Sequence, residues 1–277
     1  MPNRSFILLF TFLVLLLTNT FSLPAADKTD LRPMADILGR TVFEADLLPA
    51  KENSEQKAKL PTAEYHAWRE RTRAETLRNL VWSAVFADYA GKRKIEPTQA
   101  EIDSQIRSMA KFRREDTVRR EKEREALIVE LRSPNLSVKM RKQAQEHFDT
   151  LNSLREHDAR REQDLKESGR QKMQQEAEQS VARVWVQQWK LNQALYREFG
   201  GRIIFQQAGW EPIDSYRALL DRYWKDKRFV VYDAKLQEAV YRYFKHNFVY
   251  ADETKARFYF EKPYWERTAE EMKAAGF

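Results

Sequence analysis

The chain contains no cysteine, and of its 277 residues only 7 are Gly, 9 are Pro and 4 are His. The missing thiols exclude disulfide scaffolds, cysteine nucleophiles, iron–sulfur clusters and cysteine-ligated zinc. The scarcity of Gly and Pro argues against a β-sandwich or barrel, which needs many turns, and against Gly-rich phosphate loops. No Gly-x-Ser-x-Gly elbow exists, and His66 and His246 lack sequence-near partners for a catalytic triad. His147 and His157 sit among carboxylates on a charged stretch and read as surface histidines. Asp214 and Asp221 likewise read as helix-surface acids rather than an acid–base pair. No catalytic residue, no metal-ligand set and no cofactor is therefore expected. What the chain does have is charge, at 33% of residues, and rings, at 12%. Those proportions fit a mainly α protein built from long helices.

Residues 1–26 have the form of an export signal. Arg4 supplies the positive start, Phe6 to Leu17 is an apolar run broken by Thr11, and Pro24, Ala25 and Ala26 follow. About a dozen apolar residues is short of the roughly 20 that a membrane-spanning helix needs. Cleavage near Ala25 or Ala26 is expected, with an uncleaved N-terminal anchor as the alternative. Either way the rest of the chain is placed in the periplasm or otherwise outside the cytoplasm. That address bears on the formal net charge of +7. A basic cytosolic protein would invite nucleic acid as partner, whereas an exported one meets envelope surfaces and unfolded clients. No nucleic-acid partner is expected.

Beyond the signal, residues 27–61 form an arm. Asp36 to Phe43 reads as a strand and turn about Gly39, Ala45 to Leu48 as a helical turn, and Lys51 to Lys59 as a mobile polar linker. A helical module spans 62–110. Leu77, Leu80, Val81, Ala84 and Val85 recur at helical spacing, and Gly91 is placed to end that helix. Thr98 with Glu101 then forms a capping box for a second helix striped by Ile102, Ile106 and Met109. Residues 111–178 are dense in charge and broken by Ser133-Pro-Asn-Leu-Ser137, which predicts an antiparallel helical hairpin. Residues 179–277 hold five of the seven tryptophans. A helix there ends at Gly200-Gly201, residues 202–207 read as a strand or extended link, and further helices start near Pro212 and Asp233.

The segment from Ala74 to Met109, read with Ala35-Asp-Ile-Leu-Gly-Arg-Thr-Val-Phe-Glu-Ala-Asp-Leu47, resembles the N-terminal chaperone domain of SurA-, PrsA- and PpiD-type periplasmic folding factors. The shared features are a short entry strand with a Gly turn, a Leu-x-x-Leu helix, and a capped Thr-x-x-Glu helix after a short turn. Leu38 stands where the family usually has Asn. The resemblance covers roughly a quarter of the chain, and no parvulin pattern follows it. It implies a SurA-like helical chaperone module closed by C-terminal aromatic helices, with the charged hairpin as an insertion and no isomerase domain. Unfolded or extended polypeptides, outer-membrane proteins among them, are the implied clients. Candidate peptide-binding residues are Trp82, Phe86, Tyr89, Met109, Trp185, Trp189, Phe205 and Trp210, with ordinary core as their alternative role. The implied function is that of an ATP-independent holdase. The alternatives are an adaptor whose hairpin binds a fixed envelope partner, and a prolyl isomerase.

Overall fold

The computed structural model describes residues 32–48, 50–167, 169–206 and 209–276. The export segment lies outside the described residues. The chain is mainly helical, as its composition predicts, and divides into two compact units: residues up to Pro97 together with Gln187 onward, and Thr98–Val186.

The first unit opens with β1 (Pro33–Ile37) and β2 (Arg40–Phe43), an antiparallel hairpin in which Ala35 faces Val42 and Ile37 faces Arg40. Its two turn residues, Leu38 and Gly39, both take positive φ, at 52° and 82°. Tight hairpins favour that geometry because it matches strand twist, but it suits Asn-Gly better than a residue with a branched apolar side chain. Leu38 is held there by packing against the core, and its amide donates to the Arg228 carbonyl at 2.7 Å.

After α1 (Glu44–Leu47) comes α2 (Ala50–Lys59), where a mobile linker was expected. The correction has a local cause. This segment is rich in Ala, Lys, Glu and Gln, which lose little side-chain freedom in a helix. The Tyr65 hydroxyl of the next helix also donates to Asn53 at 2.8 Å.

The spine of this unit is α3 (Thr62–Lys92). Gly91 does not end it; the reversal comes at Lys94, with φ 53°, where the Ile95 amide donates to the Ala90 carbonyl. Leu77, Val81, Val85 and Phe86 are buried on one face. The chain returns to this unit through the C-terminal half of α6 (Gln171–Phe199), which stops at Gly200, φ 63°. There follow β3 (Ile204–Gln206), β4 (Gly209–Glu211), α7 (Ile213–Lys225), β5 (Phe229–Val231) and α8 (Ala234–Tyr241). Asp233 caps α8, accepting from the amides of Lys235 and Leu236. α8 gives way to a 3-10 turn at Arg242–Lys245. The tail forms α9 (Glu253–Glu261) and α10 (Ala269–Ala274).

Strand β5 was not anticipated. It adds to β1 in antiparallel register, with Ala35 opposite Val231 and Ile37 opposite Phe229, so β1 is the centre of a three-stranded sheet. The two ends of the unit are thereby joined through backbone hydrogen bonds. Burial of Phe229, Leu236 and Val240 with the α3 stripe completes one apolar core.

The second unit contains α4 (Gln99–Leu131), α5 (Val138–Glu167) and the N-terminal half of α6. The Thr98–Glu101 capping box is present, with Thr98 N donating to Glu101 Oε2 at 2.7 Å and Glu101 N to Thr98 Oγ1 at 3.3 Å. The capped helix continues without a break into the charged hairpin, so no element ends at 110. The α4–α5 turn falls at 132–137 as the Ser-Pro-Asn motif predicts. Leu127, Ala144 and Leu151 pack beside that turn with Leu131, Leu136 and Phe148. No helix among the described residues is long and apolar enough to cross a membrane.

Candidate functional site

Most candidate rings are spent on packing. The Trp82 indole, on α3, stacks on Phe244 at 5.3 Å and meets Phe86, Tyr216 and Tyr243 edge-on, while its Nε1 donates to the Val240 carbonyl at 3.0 Å. Phe86 and Tyr89 are 2% exposed. The Tyr89 hydroxyl donates to Glu198 at 2.8 Å, and the same carboxylate accepts from Arg93 and Arg222, which holds it below the usual range despite partial burial. Trp189 meets Trp265 edge-on and donates to the Tyr259 carbonyl at 3.3 Å. Trp210 packs in a smaller cluster with Ile203, Ala256 and Phe260. These five rings offer a client almost no surface. Met109 and Trp185, in the second unit, are half-buried.

Phe205 differs from the others, at 67% exposed. It lies on β3 opposite Trp210, with ring centroids 5.6 Å apart. The other edge of β3 receives a short extended piece from near the C-terminus. Ile204 bridges Tyr250, and the Ala251 amide donates to the Ile203 carbonyl at 2.9 Å. The same antiparallel register runs Val249 alongside Phe205, since facing residues share one face of a sheet. Val249 is 90% exposed and Tyr250 is 40% exposed, with the Arg202 guanidinium 4.2 Å from the Tyr250 ring centre. Trp210, Phe205 and Val249 thus form a row that passes from core to open surface. Sequence reasoning singled out Phe205 but missed Val249 and Tyr250, because only the bridge to Ile204 brings them together.

Beneath this surface is a buried polar cluster that was not anticipated either. Gln188 and Asn192, one turn apart on α6, share the Tyr216 hydroxyl: Gln188 Nε2 donates to it at 3.2 Å, and it donates to Asn192 Oδ1 at 2.6 Å. Asn192 Nδ2 donates to the Trp210 carbonyl at 3.0 Å. Next along, Glu211 is buried, and accepts from the Tyr243 hydroxyl at 3.0 Å. Burial raises the Glu211 carboxyl to about 7, with the tyrosine hydrogen bond opposing the shift only in part. Burial also pushes the Tyr216 and Tyr243 hydroxyls up, so both remain neutral donors at physiological pH.

A second buried carboxylate, Glu44, is handled differently. Arg73 approaches it with Nε at 2.8 Å and Nη2 at 2.9 Å, while Arg32 and Arg69 reach it at 2.8 and 3.2 Å. This ion cluster fastens α1 to α3. His147 and His157 are exposed, 3.6 Å from Glu123 and 3.9 Å from Asp158. Asp214 pairs with Arg202 at 2.9 Å and Asp221 with Arg217 at 3.8 Å. Among the described residues no group of three or more His, Asp or Glu could hold a metal ion.

No protein-family model matches the chain, and no curated protein and no solved structure matches it.

Proposed function

We propose that the protein is an exported, non-enzymatic, ATP-independent holdase of the SurA type without an isomerase domain, which holds unfolded envelope polypeptides by their apolar segments. The observation that carries this reading is the exposed apolar pair of Phe205 and Val249 on a module in which the candidate rings Trp82, Phe86, Tyr89, Trp189 and Trp210 are core. Exposed apolar surface on a rigid support serves to bind other chains. Arg202, whose guanidinium lies over the Tyr250 ring, is charged and exposed, which suits a complex that must stay in solution.

The order of elements supports the same reading. An entry hairpin about a Gly turn, a long Leu-x-x-Leu helix, and closure by C-terminal segments is the arrangement that the SurA resemblance implies. Aggregation of an unfolded outer-membrane protein, followed by light scattering with and without the purified protein, tests the proposal. Suppression that is lost in a Phe205→Ser/Val249→Ser variant supports it, and no suppression at stoichiometric excess rejects it. The adaptor reading draws on the second unit, where Val118, Val129, Met140 and Leu154 are exposed on the hairpin. Co-purification of one fixed partner, with indifference to unfolded clients, would favour it.

A further inference from the structure

The hairpin of α4 and α5 ends in a tip whose charge differs from the rest of its unit. Between Ala126 and Gln145 there are four basic residues and one acid, Glu130, whereas the rest of Thr98–Val186 holds 15 basic and 16 acidic residues. The shafts of the hairpin are thus balanced, and their charges pair locally, as Arg120 does with Asp116 and Asp158, and Lys166 with Glu162. The tip is not balanced. Arg132, Lys139 and Arg141 are exposed and have no ion pair among the described residues, and Lys142 reaches Glu146 only at 3.9 Å. Arg141 braces the turn, its guanidinium donating to the carbonyls of Leu131 at 2.6 Å and Ser133 at 2.8 Å. Those acceptors are neutral, so its positive charge stays uncompensated.

The same tip leaves aliphatic side chains in water. Val129 is 71% exposed, Val138 88% and Met140 52%. Val129 lies in the last turn of α4, and Val138 and Met140 in the first turn of α5, so each stands within about one helical pitch, ~5 Å, of the connecting turn. Single exposed aliphatics are ordinary, but three of them beside four cations at one end of a hairpin make a patch. The turn that carries the patch is held from within, where Leu131 and Leu136 pack on Leu127, Ala144 and Leu151. Aliphatic side chains and unpaired cations on one surface match a partner that is anionic outside and apolar just beneath. A bilayer of acidic phospholipid has that construction: the aliphatic groups enter the interface while Lys and Arg stay with the headgroups, which attract them. A protein partner fits less well. A stable protein interface takes about 800 Å² from each side, and the end of two helices, each about 10 Å across, offers less.

We infer that the α4–α5 tip binds the surface of membranes containing anionic phospholipid, with Val129, Val138 and Met140 entering the interface and Arg132, Lys139 and Lys142 on the headgroups. The inference goes beyond the holdase reading and does not depend on it, because it concerns the other compact unit and a lipid partner.

The chain has no cysteine, so Asn135→Cys in the exposed turn gives a single site for an environment-sensitive dye. The labelled full chain is titrated with vesicles of phosphatidylcholine alone and with vesicles containing about 30% phosphatidylglycerol. The dye sits at the tip, so attachment through another part of the chain does not produce its response. Emission should shift to the blue with the anionic vesicles only, and the shift should shrink in about 0.5 M salt as screening grows. Arg132→Gln/Lys139→Gln/Lys142→Gln should weaken the apparent vesicle affinity at least about tenfold. Val138→Ser/Met140→Ser should remove most of the shift. All five side chains are exposed, so unchanged thermal melting should show that both variants fold. No shift with anionic vesicles, an equal shift with phosphatidylcholine alone, or a shift that survives both variants overturns the inference. So does a dye response to polyglutamate without one to vesicles, which would assign the tip to an acidic polypeptide. Absence of the lipid response with aggregation suppression intact would reject this inference alone.

Discussion

Trp82 and Val240 are joined by an indole-to-carbonyl hydrogen bond of 3.0 Å that spans 158 positions of sequence. The bond ties the α3 helix to the C-terminal α8, and four aromatic rings surround the indole. Trp82→Ala should therefore cost about 3–5 kcal/mol of stability, as large-to-small changes of a core aromatic do. Urea denaturation checks this. A melting temperature close to wild type, with client binding lost, would instead place the ring in a binding surface.

Glu44 is the shared partner of Arg32, Arg69 and Arg73, and both it and Arg73 are buried. Glu44→Gln leaves the buried Arg73 guanidinium with only the exposed Glu70 carboxylate, at 2.7 Å, as counter-charge. Breaking such a pair from one side costs about 3–5 kcal/mol, more than an exposed ion pair is worth. The variant's denaturation midpoint should fall accordingly. A double change that replaces both Glu44 and Arg73 with apolar residues should recover part of the loss.

Glu211 gives the fold a pH dependence of defined sign. Its carboxyl stands at about 7 in the folded chain, against 4.5 for an ordinary glutamate. Between those values the folded state holds a proton that the unfolded state has released. Stability from this group is therefore full below about pH 4.5, falls as pH rises through the interval, and levels off above 7. The difference amounts to about 3 kcal/mol. Denaturation midpoints at pH 5 and pH 8.5 should show this decline in the wild type. Glu211→Gln stays neutral and keeps the hydrogen bond from Tyr243, so its decline over the same range should be smaller than the wild type's by about that amount.

Phe205 and Val249 are exposed, so their removal should leave the fold intact. Phe205→Ser/Val249→Ser should change stability by about 0.5 kcal/mol or less per site. Client binding should drop in the same variant. A large loss of stability would show that the row carries packing rather than recognition.

Elements with local signatures were legible in the sequence: the Thr98–Glu101 box, the Asp233 cap, the Gly200 stop and the turn about Gly39 each depend on residues a few positions apart. The helical class followed from composition. Strand β5 was not legible, because Phe229-Val-Val231 is too short to declare itself and becomes a strand only by pairing with Ala35. The α2 helix was obscured by polarity, which is shared by linkers and surface helices alike. The aromatic candidates show the same limit. Helical spacing marks Trp82, Phe86 and Trp189 as facing inward without saying whether anything covers them, and α8, Tyr216 and Trp265 do. Val249 and Tyr250 lie in no periodic pattern and gain meaning only beside β3.

The holdase account meets its most direct test in light scattering from a diluted, unfolded outer-membrane protein. The account predicts that stoichiometric amounts of the protein suppress the scattering without ATP, and that Phe205→Ser/Val249→Ser, folded to the same melting temperature, does not. Scattering unchanged by a stoichiometric excess of wild-type protein would contradict it.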